Sequence, residues 1–183
     1  SGPETHLRMP IKAFEALKAQ VPAMAFGEDA GIVTALRIVK SPAEVARIEA
    51  ATSVAARAFD RLKEIAGRGI PLSAVFRDFQ RLCLEEGADW VPYLAGGAGP
   101  SGYGDVISPA TSRALEHGDV LMLDTGAVLG GYFTDFNRNF AVGAVSGQVT
   151  TAHGRLLDAV EAGARAARPG ARACDVFVAM DRV

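Results

Sequence analysis

GDVLMLDTGAVLGGYFTDFNRNFAVG, residues 118–143, is the stretch that decides the fold. Two apolar, β-rich runs, Asp119–Thr125 and Tyr132–Val142, flank a Gly130-Gly131 break, which is the pattern of a β-hairpin. Each run carries an acid: Asp124 follows Val120-Leu121-Met122-Leu123, and Asp135 lies between Tyr132-Phe133 and Phe136. Aspartate is disfavoured in strands and is almost never buried without a partner, so two of them in facing strands need one shared explanation. With the turn centred on Leu129-Gly130, Asp124 stands directly opposite Asp135, and opposed Cβ atoms lie roughly 4.5–5.5 Å apart on one face. Carboxylates that close repel unless a proton or a cation lies between them. A pair of divalent ions about 3.5–4 Å apart, bridged by carboxylates, is one solution and makes a hydrolytic site. Register carries this reading, since a slip by one residue sends one acid to the other face.

Upstream of the hairpin the pattern is helical. Ile11–Ala19 is a short helix (Ile11, Phe14, Leu17) ended by Val21-Pro22. A new unit opens at Leu36-Arg37-Ile38-Val39-Lys40, after which Ser41-Pro42-Ala43-Glu44 supplies an N-cap, a first-turn proline and the glutamate of a capping box. Val45, Ile48, Thr52, Ala55, Phe59, Leu62 and Ala66 then predict one helix to about Gly67. A second helix carries Val75, Phe76, Phe79, Leu82 and Cys83 inward and stops at Gly87. Trp90–Leu94 reads as a short strand. The segment Ala95 to Gly104, AGGAGPSGYG, lacks the Lys-Ser/Thr and the following helix of a nucleotide loop, so it reads as a tightly turning loop at a site mouth. Val106-Ile107 and Ser108–Gly118 lead back to the hairpin. Beyond it, Val149 to Ala167 predicts a helix with Leu156, Leu157, Val160 and Ala164 on one stripe. Arg168-Pro169-Gly170 breaks it, and another helix opens at Asp175. Both ends read as cut through a pattern.

With 183 residues, 49% hydrophobic and 22% charged, the chain can bury a core. A net charge of −2 gives no electrostatic reason to expect nucleic acid or an anionic membrane as partner. No apolar run approaches the roughly 20 residues that span a bilayer. Cys83 and Cys174 read as buried thiols of a cytoplasmic protein.

Three pieces resemble the pita-bread metallohydrolases, the family of Xaa-Pro aminopeptidase, prolidase, methionine aminopeptidase and creatinase. They are LRIVKSPAEVARIEAA, GDVLMLDTGAVLGGYFTDFNRNFAVG and ARPGARACDV. The resemblance implies an α+β pita-bread fold of which residues 39–183 are the first half, with residues 1–38 the tail of a creatinase-type N-terminal domain and its linker. It implies that Asp124 and Asp135 bind two divalent metal ions, manganese, cobalt, zinc or iron, and that a His and two Glu complete the site from the second half of the fold. His6, His117 and His153 do not match those positions and read as surface or packing residues. On that reading this chain alone is inactive, while the intact protein is a cytoplasmic, homodimeric hydrolase of a peptide or small amide.

Two departures bear on substrate. The family's peptidases carry a His ahead of a proline like Pro109, where this chain reads Tyr103-Gly104-Asp105-Val106-Ile107-Ser108, and the usual Thr after the hairpin Arg is Asn139. Arg138, on the opposite parity from Asp135, is expected to make a structural ion pair. Three rival functions stay open: a creatinase-like hydrolase of a non-peptide C–N bond, a non-catalytic pita-bread binding module, and an aspartic protease built on Asp124-Thr125-Gly126. The last requires a homodimer to supply a second aspartate.

Overall fold

Ser41 and Glu44 close the capping box that their spacing predicts: the Ser41 N–H donates to Glu44 Oε2 at 2.7 Å, and the Glu44 N–H to Ser41 Oγ at 3.3 Å. The computed structural model describes residues 9–27, 30–100, 102–104 and 108–183, so His6, Asp105 and Val106-Ile107 lie outside the described residues. The chain divides into two compact units, Ser1–Val45 and Ala46–Val183. The first contains α1 (Ile11–Gln20) and α2 (Ile32–Ile38), neither of which buries a residue. In it Phe14 sits edge-on to Phe26, with centroids 5.1 Å apart.

In the second unit, α3 (Pro42–Asp60) turns Ala51, Val54, Ala55, Ala58 and Phe59 into the core. The helix ends at Asp60, short of the predicted Gly67. A single 3-10 turn, Leu62–Glu64, follows. Its tighter, three-residue period brings Leu62 and Ile65 both inward. Arg61, at the junction, donates to Glu64, Glu85 and Glu86, which fastens the turn to the end of α4 (Leu72–Glu85). All five apolar residues predicted for α4 are buried, and Gly87, at φ 106°, takes the chain out of the helix. Burial pushes the Cys83 thiol up to about 11, leaving it inert. Cys174 is exposed, against expectation: its helix buries no residue, so the local pattern found no core to face.

The first part of the glycine-rich segment, up to Gly99, is a strand and not a loop. β1 (Leu94–Gly99) pairs antiparallel with β2 (Val120–Thr125), which pairs with β5 (Phe136–Ala141), giving the order β1-β2-β5. Glycine is required by packing: a Cβ at Gly96 would strike the Met122 carbonyl and meet the Phe76 ring at 3.2 Å. Of the strand expected at Trp90–Leu94, Trp90 makes only an isolated bridge to Val128 and Leu94 begins β1. Leu121 and Leu123 of β2 and Phe136 and Phe140 of β5 share the face that packs on the helices. There Phe59 stacks on Phe136 and Phe140 at 5.7 and 6.0 Å and touches Phe79 at 4.6 Å.

α5 (Gly147–Ala166) starts on Ser146, whose Oγ accepts the Val149 N–H at 3.3 Å, and α6 (Ala173–Asp181) starts on the Arg172–Asp175 pair. The predicted stripe of α5 does not enter the core. Leu156, Leu157, Val160 and Ala164 stay exposed, and α5 instead packs on α6, with Gly163 against Met180. Among the described residues no helix is long and apolar enough to cross a membrane.

Candidate functional site

The Gly130-Gly131 pair is the whole turn. Leu129 pairs with Tyr132, joining β3 (Val128–Leu129) to β4 (Tyr132–Phe133), and both glycines have positive φ, 57° and 81°. That is the two-residue hairpin loop whose twist suits its strands. The turn centre thus lies one residue later than expected, and Asp124 pairs with Asn137, not Asp135. Because the partner shifts by two residues, parity is preserved. From Tyr132 to Asn137 the outgoing strand alternates: Tyr132 and Phe136 are half-buried and Thr134 is buried, while Phe133, Asp135 and Asn137 are exposed. Asp135 therefore stays on the face of Asp124, offset along the strand.

The two acids converge on one group that the sequence did not reveal. The Tyr93 hydroxyl donates to Asp135 Oδ1 at 2.6 Å and lies 3.4 Å from Asp124 Oδ1. Burial and the neighbouring carboxylates, the Asp135 hydrogen bond foremost, push the Tyr93 hydroxyl well above its ordinary range, so it remains a proton donor. Its backbone is fixed by Thr125, whose Oγ1 donates to the Tyr93 carbonyl at 2.6 Å. The Asp-Thr-Gly run is thus a brace for the tyrosine. Gly126 lies against Thr134, where a Cβ would run into the Thr134 carbonyl. Thr134 stitches the same gap: its N–H donates to the Ala127 carbonyl at 3.0 Å, and its Oγ1 accepts the Ala127 N–H at 2.8 Å. This stitch between β4 and β5 sets Asp135 beside Tyr93.

A third acid shows the contrast. Asp119 is buried and takes a bidentate pair from Arg113, at 2.7 and 2.9 Å, plus the Glu116 N–H at 2.8 Å. Arg113 above all holds its carboxyl below the usual range. Asp119 is structural and has its own cation; among the described residues no basic side chain pairs with Asp124 or Asp135. Among the described residues Arg138 makes no ion pair, against expectation. It lies on the opposite face, over the Phe136 ring at 4.7 Å, and donates to the Asn137 carbonyl. Among the described histidines, His117 sits against Gly143 and His153 is exposed on α5.

The donor set is two hard carboxylates joined by a phenol, chemistry that suits a divalent ion. Among the described residues no third His, Cys, Asp or Glu joins them. The pair fits part of a coordination shell.

Known proteins resemble this chain in sequence and in fold. The chain is 31% identical over 141 residues to an uncharacterized peptidase, YqhT, of Bacillus subtilis, covering 75% of this chain and 39% of that one. It is 24% identical over 184 residues to the ectoine hydrolase of Halomonas elongata, covering 92% of this chain and 45% of the relative. The crystal structure of dipeptidase PepE from Mycobacterium ulcerans superposes with a TM-score of 0.82 at 26% identity, over 96% of this chain and 47% of that one. The chain therefore spans less than half the length of these relatives, and over that span it has the α+β pita-bread fold. The signature of Metallopeptidase family M24 matches residues 46–183, the whole of the second unit, and the chain belongs to that family.

Proposed function

We propose that the intact protein is a metal-dependent hydrolase of peptide bonds, with Asp124 and Asp135 as two of its metal ligands. The observation that carries this is the convergence of both carboxylates on the Tyr93 hydroxyl, on the open face of a hairpin within the family match. A pair of divalent ions bound there would acidify a water and polarise a substrate carbonyl. The chain's own residues prepare for that. Asp124, anchored mid-sheet, and Asp135, set by the Thr134 stitch, present oxygens to one point, and Tyr93 restrains both from swinging into solvent. An Xaa-Pro dipeptide is the first substrate to test, as the family resemblance suggests.

A second reading has its own support. The ectoine hydrolase match covers nearly all of this chain, and Asn139, opposite Met122 on the face of Asp124, replaces the threonine usual in the peptidases. Both favour a non-peptide C–N bond as the alternative.

The test is metal content and thermal stability of the full-length protein with manganese, cobalt and zinc, followed by hydrolysis of Xaa-Pro dipeptides and of cyclic amidines. Bound metal and a raised Tm are expected, both lost in Asp124→Asn and Asp135→Asn. No bound ion and no stabilisation would overturn the hydrolase reading in favour of a binding module.

A further inference from the structure

Asp124 and Asp135 are held by different parts of the chain. Asp124 lies inside the three-stranded sheet, paired with Ala95 on one side and Asn137 on the other. Asp135 lies in the joint between β4 and β5 and belongs to neither strand, so its position follows the hairpin tip beyond it. That tip is a ladder of two residue pairs, Val128–Phe133 and Leu129–Tyr132, closed by two glycines, and so short a hairpin is not stable by itself. Neighbouring chain holds it in place. The Asp89 N–H donates to the Val128 carbonyl at 2.7 Å and the Val128 N–H to the Trp90 carbonyl at 3.0 Å, which lays residues 89 and 90 along the outer edge of β3. The Asp89 carboxylate reaches past the end of that strand and accepts the Gly130 N–H at 2.7 Å, inside the turn. On the other strand the Arg47 guanidinium of α3 lies over the Tyr132 ring at 5.7 Å, a looser contact.

We propose that Asp89 is a positioning residue for Asp135: by holding the Gly130 N–H it locks the hairpin tip to the segment that carries Tyr93, and so keeps the two carboxylates on one point. The inference rests on the reading of Asp124 and Asp135 as metal ligands. Asp89 and Tyr93 belong to one short segment, stiffened by Pro92. One end of it grips the turn, and the other bonds both acids. A carboxylate suits the first task, because a backbone N–H bonds more strongly to a charged oxygen than to a neutral one. Without that bond the two-pair ladder is free to open locally, and the opening would reach Thr134 and Asp135 before it reached the three-stranded sheet. A bond that served only an exposed turn would leave the acids undisturbed when removed.

The test compares Asp89→Ala and Asp89→Asn with the wild type in the full-length protein. Two quantities are read: manganese affinity by calorimetric titration, and hydrogen exchange of the Ala127 and Thr134 amides in the metal-free protein. Those two residues bond to each other across the joint that Asp135 occupies. Asp89→Ala should lower the manganese affinity about tenfold and speed exchange at Ala127 and Thr134, while the urea midpoint stays close to that of the wild type because Asp89 is exposed. Asparagine keeps an oxygen for the Gly130 N–H and loses the charge, so Asp89→Asn should recover most of the affinity. Affinity within twofold of the wild type in Asp89→Ala, with exchange faster at Gly130 and Gly131 only, would overturn the proposal. An equal loss in both variants would also overturn it, since the effect would then belong to the charge near the ions and not to the bond. Wild-type protein that takes up no manganese would defeat the reading of the two acids as ligands. Exchange alone would then decide the clamp, upheld if Ala127 and Thr134 open in Asp89→Ala and overturned if they stay protected.

Discussion

Tyr93 restrains two carboxylates with a single hydroxyl, and the consequence can be isolated at that atom. Tyr93→Phe keeps the ring and its packing and removes only the donor to Asp135 and Asp124. Manganese affinity of the full-length protein, read by calorimetric titration, should fall roughly 10–100-fold, the usual cost of losing a group that orients a ligand. An unchanged affinity would show that strand geometry alone places the acids. Asp119 makes the opposite case, an acid with its cation built in. Its folded pKa lies below the unfolded value of about 3.9, so its stabilisation is fully present above pH ~4 and fades as the pH drops through the lower folded value. Asp119→Asn should cost about 2 kcal/mol at neutral pH, at the low end for a buried pair because Arg113 is 41% exposed. Urea unfolding of both forms from pH 7 to strong acid should show the gap closing below pH ~4. A gap that persists there would assign the loss to packing.

Two glycines of the hairpin separate close approach from turn geometry at the scale of the element. Gly126→Ala drives a methyl into the Thr134 backbone, which cannot rotate away, and should cost about 3 kcal/mol together with metal binding. Gly130→Ala meets nothing within 4 Å and strains only the positive φ, so about 1 kcal/mol is expected, with binding retained. Denaturant midpoints and metal titration of the two variants would separate them. Equal effects would mean that the Gly126 contact relaxes. The same contrast explains what could be read from sequence. The Ser41–Glu44 box and the five inward residues of α4 were legible because caps and helical periods are written within one or two turns. The hairpin was legible, but its register was two residues out, because a two-residue loop on Gly130-Gly131 and one centred a residue earlier give the same alternation. Residues 95–99 of β1 look like a loop in the sequence because glycines carry no strand signal; Gly96 is there to fit the Met122 carbonyl and the Phe76 ring, which only the fold supplies. Tyr93 was missed because its partners lie 31 and 42 residues away.

Across the whole chain, the apolar surface is unevenly covered. The inner faces of α3 and α4 are closed by the sheet, whereas α5 and α6 pack chiefly on each other. Leu156, Leu157 and Val160 stay about half exposed, and Phe177 is 66% exposed. Leu156, Leu157 and Val160 lie at helical spacing on α5, and Phe177 lies on α6, which packs against it, so the helix pair exposes apolar side chains of the sort that monomeric proteins keep few. A net charge of −2 sets little repulsion against contact between copies. The 183-residue chain is therefore expected to bind a hydrophobic dye and to associate with rising concentration in sedimentation velocity. Leu157→Glu with Phe177→Glu places two charges on that surface without touching Gly163 and Met180, where the helices meet. The double variant should keep its far-UV circular dichroism, lose most of the dye signal and move the association midpoint about tenfold or more towards higher concentration, since each buried apolar side chain is worth roughly 1.5–3 kcal/mol. A wild-type chain that is monomeric at every concentration and binds no dye would show that α5 and α6 close against the rest of the unit in solution, and the exposed stripe would then need another explanation.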